Sequence, residues 1–223
     1  MRGIGSGPRV TNLEAKLTEE AEAKPEARGG ESRRQAVLDT AAAMFAAKGY
    51  TGTSIRSITT SVGMLPGSIY YHFKSKEDLL LAVYREGVAR FEKAIEAALA
   101  ESSGEPWQVL EAVCAAHLSI LLNGGAYTRI VSPEFMRSFP PAMLAILNAE
   151  RDRYELRFEK LITALPLRPE TDRWLFKVAL FGSLNWSQTW YREGRYTPKD
   201  IARAFIAILR GEAAQAATSG ASS

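Results

Sequence analysis

Polar and aromatic side chains suited to hydrogen bonding follow Pro66 in one short run. The members of this run are Gly67, Ser68, Tyr70, Tyr71 and His72. Hydroxyl and imidazole groups donate and accept hydrogen bonds, and the phosphates and base edges of nucleic acid offer complementary groups. Ile69 and Phe73 stand four residues apart, so on a helix they would share an apolar face and leave the polar run on the other. The stretch 66–73 is therefore predicted to be a helix that contacts nucleic acid.

A second helical pattern lies just before this run and is joined to it through Gly63. Its apolar residues fall at helical spacing: Ile55, Ile58 and Val62. Thr53 is the predicted N-cap, and Gly63 can take the positive φ that a sharp turn between helices requires. Pro66 suits the first turn of the following helix, because the N–H that proline lacks is not needed there. Helix, tight turn and second helix form the helix-turn-helix plan, whose second helix enters the DNA major groove.

Positive charge collects around these two helices. The full sequence has 28 Lys and Arg against 25 Asp and Glu, a formal net charge of +3. Residues 28–80 hold seven basic and four acidic side chains, which accounts for that whole excess. Arg33 and Arg34 stand at the start of the first predicted helix, where they either reach a phosphate or a minor groove or remain solvated. This distribution is compatible with nucleic-acid binding, whereas the small net charge alone decides nothing.

The bulk composition excludes several classes of protein. The chain has 223 residues, of which 46% are hydrophobic and 24% charged, an ordinary globular balance. Cys114 is the one cysteine, so no intrachain disulfide can form and a reducing, cytoplasmic setting is expected. No run of about 18 apolar residues predicts a membrane-spanning helix, and the first ten residues do not resemble a signal peptide. Two distant histidines and one cysteine make no metal site, and no catalytic set is visible, so neither a cofactor nor enzymatic activity is expected.

Helical periodicity predicts an all-α fold with nine helices and no strands. The helices are expected at about 31–48, 55–62, 66–73, 75–100, 106–122, 127–139, 140–165, 170–193 and 197–211. Residues 1–30 are rich in Gly, Ala, Glu and Lys, which predicts a disordered arm, and residues 212–223 predict a disordered tail. Between them we expect a three-helix unit at 31–75 and a larger helical domain at 76–211.

Four stretches between Arg34 and Leu80 resemble the TetR family of transcriptional regulators. They are VLDTAA, FAAKGY, TSIRSI and GSIYYHFKSKEDLL. The rest of the chain resembles the family in being a helical domain of the right length. The resemblance implies the TetR-like architecture and a homodimer that places one reading helix on each half-site of double-stranded operator DNA. It also implies that the domain 76–211 dimerises and that a small molecule bound there releases the DNA.

The resemblance assigns phosphate contacts to five residues. Ser54 and Arg56 would contact phosphate from the helix before the turn, and Lys76 would pair with phosphate from the helix after it. Tyr70 and His72 would mostly bond phosphate as well.

The resemblance assigns contacts with the DNA bases to the remaining members of the polar run. Ser68 and Tyr71 would contact base edges or a thymine methyl group, with Gly67 on the same face. Core packing is the alternative for the two tyrosines of the run. Many relatives have a polar or basic residue where this chain has Leu65 and Pro66, so the operator sequence stays open.

Aromatic and polar side chains of the domain 76–211 are the candidates for a ligand site. They are His117, Phe135, Met136, Phe139, Phe181, Asn185, Trp186, Trp190 and Arg192. Two alternatives stay open, since His117 can be a satisfied core histidine and the eighth helix can use its aromatic residues in a dimer interface. The segment 184–192 and the LPGS turn resemble regulators of lipid, sterol or aromatic-acid breakdown. The resemblance thus implies a small hydrophobic effector, with an acyl-CoA thioester as the narrower candidate.

Three functions are compatible with these features. A repressor released by its ligand is the leading interpretation. The first alternative is a DNA-binding activator or a regulator without an effector. The second is an α-helical carrier or enzyme for hydrophobic acids, which would explain the aromatic C-terminal part but not the first 80 residues.

Overall fold

Helices form all the regular structure in the part of the chain that the computed structural model describes, residues 25–136, 139 and 141–211. In chain order they are α1 (Pro25–Lys48), α2 (Ile55–Ser61), α3 (Pro66–Tyr71), α4 (Lys76–Glu101), α5 (Pro106–Asn123), α6 (Gly125–Val131), α7 (Pro133–Met136), α8 (Pro141–Ala164), α9 (Arg173–Trp190) and α10 (Pro198–Arg210). The short α3 is wound as a 3-10 helix. The predicted all-α fold is confirmed.

The largest differences from the predicted helix boundaries lie at the start of α1 and in the predicted sixth helix, and the other helix ends move by at most three residues. Helix α1 begins at Pro25, six residues before its predicted start, so it includes the end of the predicted arm. Proline is well suited to a first helical turn, which the composition argument overlooked. The predicted sixth helix consists of α6 and α7, which Ser132 and Pro133 separate, so this part of the chain holds ten helices rather than nine. Residues 1–24 of the predicted arm and the predicted tail 212–223 lie outside the described residues.

The turn between α2 and α3 is built on Gly63, as the sequence predicts. Gly63 has a φ of +68°, in the left-handed region that favours glycine. The next amide, that of Met64, donates a hydrogen bond of 2.8 Å to the carbonyl oxygen of Thr59 and thereby closes the end of α2. Leu65 is extended, and Pro66 opens α3 directly behind it.

Ser54, and not Thr53, caps helix α2, so the predicted cap is wrong by one residue. The Ser54 hydroxyl oxygen accepts a hydrogen bond of 3.1 Å from the amide of Ser57, and the Ser57 side chain bonds back to the Ser54 amide. Thr53 is instead buried, and its hydroxyl lies 2.9 Å from the carbonyl oxygen of Gly49 and 3.1 Å from that of Met44. Thr53 therefore ties the start of α2 to the end of α1.

Two hydrophobic cores divide the protein, and α4 contributes to both. The first core joins α1, α2 and α3 to the beginning of α4, to α6 and to the start of α8. The second core joins the end of α4 to α5, the C-terminal half of α8, α9 and α10. Val88 of α4 and Val131 of α6 pack against both cores. A displacement of α4 or α6 in one core must therefore change the packing of the other core.

Helices α5 and α6 meet at a sharp bend next to Gly124. Among the described helices, none alone has the length and hydropathy of a membrane span, and only α5 and α6 taken together, across a bend of 108°, pass that test. The bend directs α6 back toward α1 and α4, where Tyr127 and Ile130 join the first core.

Candidate nucleic-acid interface and ligand cavity

Helix α3 turns its apolar side chains inward and its aromatic hydroxyls outward. Ile69 and Phe73 are buried in the first core, whereas Tyr71 is 91% exposed and Tyr70 is 57% exposed. Core packing, the alternative for the two tyrosines, is thereby excluded. Burying large aromatic side chains is favourable, so two neighbouring exposed tyrosines on a short helix are typical of an interaction surface.

Helix α1 contributes a basic side chain to the same surface. Arg33, Ser68, Tyr71 and His72 line one shallow depression between α1 and α3. The Ser68 hydroxyl donates a hydrogen bond of 2.7 Å to the carbonyl oxygen of Leu65, which leaves its lone pairs available. The structure thus brings one predicted phosphate-binding arginine together with three members of the polar run.

The other predicted DNA contacts lie in different settings. The guanidinium carbon of Arg34 lies 5.4 Å from the centre of the Phe73 ring, just beyond the C-terminal end of α3. Ser54 and Arg56 are exposed at the N-terminal end of α2, and Gly67 is exposed on α3. The Ser54 hydroxyl also serves as the cap of α2.

Lys76 is engaged within the protein. Its ammonium group lies 4.1 Å from the centre of the Tyr50 ring, and the Tyr50 hydroxyl donates a hydrogen bond of 2.6 Å to Oε1 of Glu77. Burial lowers the pKa of Lys76, while the neighbouring Glu77 carboxylate acts in the opposite direction. A phosphate contact by Lys76 stays a prediction, and it has to compete with the tyrosine face.

A cavity lies between α4, α5, α6, α8 and α9, at the junction of the two cores. It holds about 550 Å³ of empty space, part of it open to solvent. Its apolar wall is formed by Val88, Phe91, Leu121, Val131, Pro133 and Phe181. Its polar groups belong to Tyr84, His117, Thr128, Ser132, Arg151, Tyr154, Glu155, Asn185 and Gln188. A mainly apolar cleft of this kind, with a few convergent polar groups, is the usual form of a small-molecule site.

His117 is a deeply buried polar group of this wall. Its Nδ1 lies 2.7 Å from the Tyr154 hydroxyl, and ring centres of Phe91, Phe158 and Phe181 lie 5.1, 5.9 and 6.0 Å from its own. Burial lowers the pKa of His117 to about 4, with the Asn185 side chain acting in the opposite direction. The imidazole is therefore neutral near pH 7.

Three of the nine predicted ligand residues line this cavity, namely His117, Phe181 and Asn185. Phe135, Met136 and Phe139 belong instead to the first core. The Met136 sulfur accepts a hydrogen bond from the Tyr84 hydroxyl at 3.6 Å, and the Phe139 ring lies 5.5 Å from that of Tyr50.

The remaining three predicted ligand residues lie at the C-terminal end of α9, outside the cavity wall. Trp186 is 66% exposed, and Trp190 is partly exposed with its ring 6.4 Å from that of Phe205. Arg192 donates a hydrogen bond of 2.8 Å to the carbonyl oxygen of Tyr191.

Sequence reasoning missed Arg151, Tyr154, Thr128 and Gln188 as cavity residues. Arg151 and Tyr154 stand three residues apart on α8, which places them on one helix face, and this spacing was the available signal. This spacing did not indicate a cavity, because the dense alternation of charges along α8 resembles an ordinary solvated helix face.

Polar contacts connect the cavity wall to the N-terminal helices. On α6, the Tyr127 hydroxyl donates a hydrogen bond of 2.7 Å to Oδ1 of Asp39 in α1, and Thr128 beside it lines the cavity. Arg90 of α4 stacks 3.7 Å over the Tyr127 ring and lies 3.4 Å from the same Asp39 oxygen. Helix α1 and the cavity wall therefore share one hydrogen-bonded cluster.

A second polar contact joins α4 to α8. Glu150 is only 7% exposed, and its Oε1 accepts a hydrogen bond of 2.8 Å from Nε of Arg85. Arg153 pairs with the other carboxylate oxygen. Arg151, which lines the cavity, is the residue next to Glu150.

A helix-turn-helix unit with an exposed second helix, followed by a helical domain with a cavity, is the plan of a transcriptional regulator. Residues 37–83 match the family described as bacterial regulatory proteins, tetR family, and residues 103–212 match the tetracyclin repressor-like C-terminal domain. The chain belongs to the TetR family.

Relatives with known roles agree with this assignment. The HTH-type transcriptional repressor KstR2 of Mycobacterium tuberculosis is 28% identical over 185 residues, which cover 81% of this chain and 92% of that protein. The repressor AcnR of Corynebacterium diphtheriae is 41% identical over 63 residues, which cover 28% of this chain and 33% of that protein. The crystal structure of AibR with isovaleryl coenzyme A and operator DNA has the same fold, with a TM-score of 0.66 and 24% identity over 79% of this chain and 97% of that one. The expectation that the chain is a regulator and not an enzyme is confirmed.

The buried His117 predicts a specific pH dependence of stability. In the unfolded chain its pKa returns to the ordinary value of 6.5, so below that pH the unfolded state binds a proton that the folded state accepts only near pH 4. The free energy of unfolding should therefore fall as the pH decreases through this window, by about 3 kcal/mol for this group. Urea unfolding at about pH 7 and at about pH 4, the two sides of this window, at one protein concentration, measures the loss.

The double variant His117→Phe/Tyr154→Phe isolates this contribution, because it removes the imidazole together with its hydroxyl partner. The variant should lose less stability than the wild type over the same interval. Equal losses in the two proteins would show that His117 is not held neutral.

Proposed function

We propose that the chain is a dimeric repressor that binds a palindromic operator and is released from it by a small, mainly apolar effector. The DNA-binding part rests on one observation above all, the exposure of the hydroxyl and aromatic side chains of α3 over a buried apolar face. A rigid helix with this face outward can approach base edges, while Arg33 beside it can approach phosphate.

Dimerisation is proposed through α9 and α10. Large apolar side chains are exposed along these two helices: Trp174, Leu175, Val178, Trp186 and Ile208. Such a face is costly to leave in water, and a second copy of the chain covers it symmetrically in a two-fold dimer. This pairing also presents two α3 helices, which a palindromic operator requires.

Effector release is proposed to act through α6. This short helix provides Thr128 and Val131 to the cavity and Tyr127 to the hydrogen bond with Asp39 of α1. An effector that fills the cavity favours a position of α6 in which this bond changes, and so favours a state in which the α3 helices no longer match the operator. A differential affinity of about 1–3 kcal/mol between the two states would account for release.

The effector class is narrowed by the cavity wall. Its aromatic and aliphatic lining suits an apolar body, and its opening to solvent leaves space outside for a larger polar group such as coenzyme A. AibR was solved with isovaleryl coenzyme A, and KstR2 is described as a ketosteroid transcriptional regulator. Those properties belong to those proteins, and here they serve to choose the first thioesters for testing.

An activator or a regulator without an effector is the second candidate. It shares the α3 surface, but it leaves the cavity and its contacts with α1 without a role. The two candidates differ in the response of DNA binding to cavity ligands, which a band-shift assay with thioesters measures.

The α3 surface predicts a difference between two substitutions. Tyr71→Ala should lower operator affinity by about tenfold or more and reduce the preference for operator over random DNA, because Tyr71 is proposed to contact bases. Arg33→Ala should weaken binding to both kinds of DNA equally and reduce its salt dependence, because Arg33 is proposed to contact phosphate. Fluorescence anisotropy on a fragment selected by the protein from a random pool, at several salt concentrations, measures both effects.

Tyr196→Ala provides the matched control, since Tyr196 is an exposed tyrosine between α9 and α10. Wild-type affinity and preference in Tyr71→Ala would contradict the assignment of α3 as the reading helix.

The α6 contact predicts a variant that binds DNA but responds poorly to effector. Acyl-CoA thioesters, beginning with isovaleryl-CoA, are first tested for their ability to lower operator affinity in a band-shift assay. Tyr127→Phe removes only the hydroxyl that bonds Asp39, so it should reduce the effector-induced loss of affinity severalfold, as the loss of one charge-assisted hydrogen bond permits.

Tyr50→Phe is the control, because Tyr50 also loses a hydroxyl that donates to a carboxylate, that of Glu77, and Tyr50 does not line the cavity. If no thioester lowers operator affinity, the thioester class is wrong. If Tyr127→Phe and the wild type respond equally, the coupling does not pass through Asp39.

A further inference from the structure

Two buried nitrogen atoms without hydrogen-bond partners lie on the wall of the same cavity. Among the described residues, the buried side-chain nitrogen and oxygen atoms that lack a partner are Nε2 of His117 and Nε of Arg151. Both residues line the cavity between α5, α8 and α9. Buried polar groups are nearly always satisfied in folded proteins, so two unsatisfied groups in one cavity call for a common explanation.

The contact with Tyr154 determines which kind of partner His117 lacks. Burial raises the pKa of Tyr154 well above its ordinary value, so the phenol keeps its hydrogen and needs an acceptor. Nδ1 of His117, 2.7 Å away, is the acceptor that the structure offers. A neutral imidazole that accepts at Nδ1 carries its own hydrogen on Nε2. The Asn185 side chain is close enough to act on the His117 pKa, but it makes no hydrogen bond of acceptable geometry to Nε2. Nε2 of His117 is therefore an N–H donor that no protein acceptor satisfies.

Arg151 supplies a second donor on the same side of the cavity. It stands three residues before Tyr154 on α8, so the two side chains share a helix face. Its guanidinium is held by Asp152 at 3.1 Å through one terminal nitrogen, while its Nε lies 3.5 Å from Oε1 of Glu155, which is long for a hydrogen bond. The cavity thus presents a neutral donor among aromatic rings and a charged donor on a partly exposed side chain.

The surroundings of His117 restrict what can satisfy it. The rings of Phe91, Phe158 and Phe181 pack around the imidazole, so a bound group must be flat or slender and mostly apolar. An isolated charge would be strongly penalised in such a setting, whereas a neutral oxygen acceptor is not. A carbonyl oxygen meets both requirements.

We propose that the cavity selects ligands that carry a carbonyl oxygen on the buried part of an apolar body, and that the Nε2–H of His117 donates the hydrogen bond that recognises it. Arg151 lies where it can donate to a second acceptor on the same ligand. The inference deepens the proposed effector response by naming the chemical class that the cavity takes. It concerns binding alone and holds whether or not the bound ligand releases DNA.

The tautomer is tested by nitrogen NMR on protein labelled with [15N]histidine. The chain has two histidines, His72 and His117, and the His117→Phe spectrum assigns them by subtraction. The expected result at neutral pH is a His117 ring with its hydrogen fixed on Nε2 and an accepting Nδ1. A ring protonated on Nδ1, or one averaging between both tautomers, would overturn the donor assignment.

Selectivity is tested with acetophenone and ethylbenzene, two probes of nearly equal size and shape that differ in the carbonyl oxygen. Isothermal titration calorimetry on the full chain without DNA measures their affinities. The wild type should bind acetophenone about tenfold more tightly than ethylbenzene, because only the ketone satisfies the buried donor. Equal affinities, or no saturable binding of acetophenone up to its solubility limit, would overturn the proposal.

The variant His117→Phe/Tyr154→Phe removes donor and partner together, so no unpaired hydroxyl is left to unfold the protein. It should bind ethylbenzene at least as tightly as acetophenone. Cys114→Ala is the matched control, since Cys114 is buried on the same helix three residues earlier and does not line the cavity. This control should keep the wild-type preference, and its loss there would show that the preference reflects general packing of α5.

The proposed ligand selectivity and the proposed DNA release can be contradicted independently of each other. A ketone-selective cavity in a protein whose DNA binding ignores every ligand would contradict the proposed release and leave the carbonyl preference intact. A protein that releases DNA with an effector but shows no preference for acetophenone would support the release and overturn the carbonyl preference.

Discussion

Helix α4 is the constraint on which the rest of the structure depends, because its two ends are buried in different cores. Leu80 and Tyr84 pack with the helices that surround α3, whereas Phe91 and Ile95 pack with α5 and α8. Its midpoint crosses α6 at Gly87, where an added Cβ would lie 2.8 Å from Cγ1 of Val131. A side chain at this position would have to displace the Val131 side chain or move the two helices apart. The reading unit and the cavity are therefore parts of one packed body rather than independent modules on a linker.

Polar contacts help to fix the positions of these closely packed helices relative to one another. Burying the carboxylate of Glu150 is costly unless its oxygens are paired, and Arg85 of α4 and Arg153 of α8 provide that pairing. On the other side, Asp39 of α1 is shared by Tyr127 and Arg90. Hydrogen bonds depend more strongly on geometry than apolar contacts do, so small movements of the cavity wall change these contacts first.

The reading unit could be predicted from sequence because its determinants are local. Ile69 and Phe73 are four residues apart, and Gly63 controls a turn within a few residues of both, so periodicity and backbone preference were sufficient. The same local reasoning failed by one residue at Thr53, since serine and threonine both cap helices and only tertiary contacts with Met44 and Gly49 show which one is buried.

The cavity could not be predicted in the same way, because it depends on which helix faces meet. His117 and Tyr154 are 37 residues apart, and nothing in either local pattern indicates their hydrogen bond. The aromatic residues of α9 show the same difficulty: Phe181 lies in the cavity wall and Trp186 is on the surface, although both belong to one aromatic stretch. Only the rotation of α9 against α5 and α8 separates them.

Coupling free energies are reciprocal, so in the proposed release mechanism DNA bound at α3 must affect the cavity as much as a cavity ligand affects DNA. Amide hydrogen exchange with and without a selected operator fragment tests this without knowledge of the effector. Under the proposed release we expect changed protection in α6 and around Glu150 of α8, in addition to the effect on α2 and α3 that the proposed DNA contacts would have. Changes confined to residues 25–75, with the cavity helices unaffected, would contradict the coupling through α4 and α6.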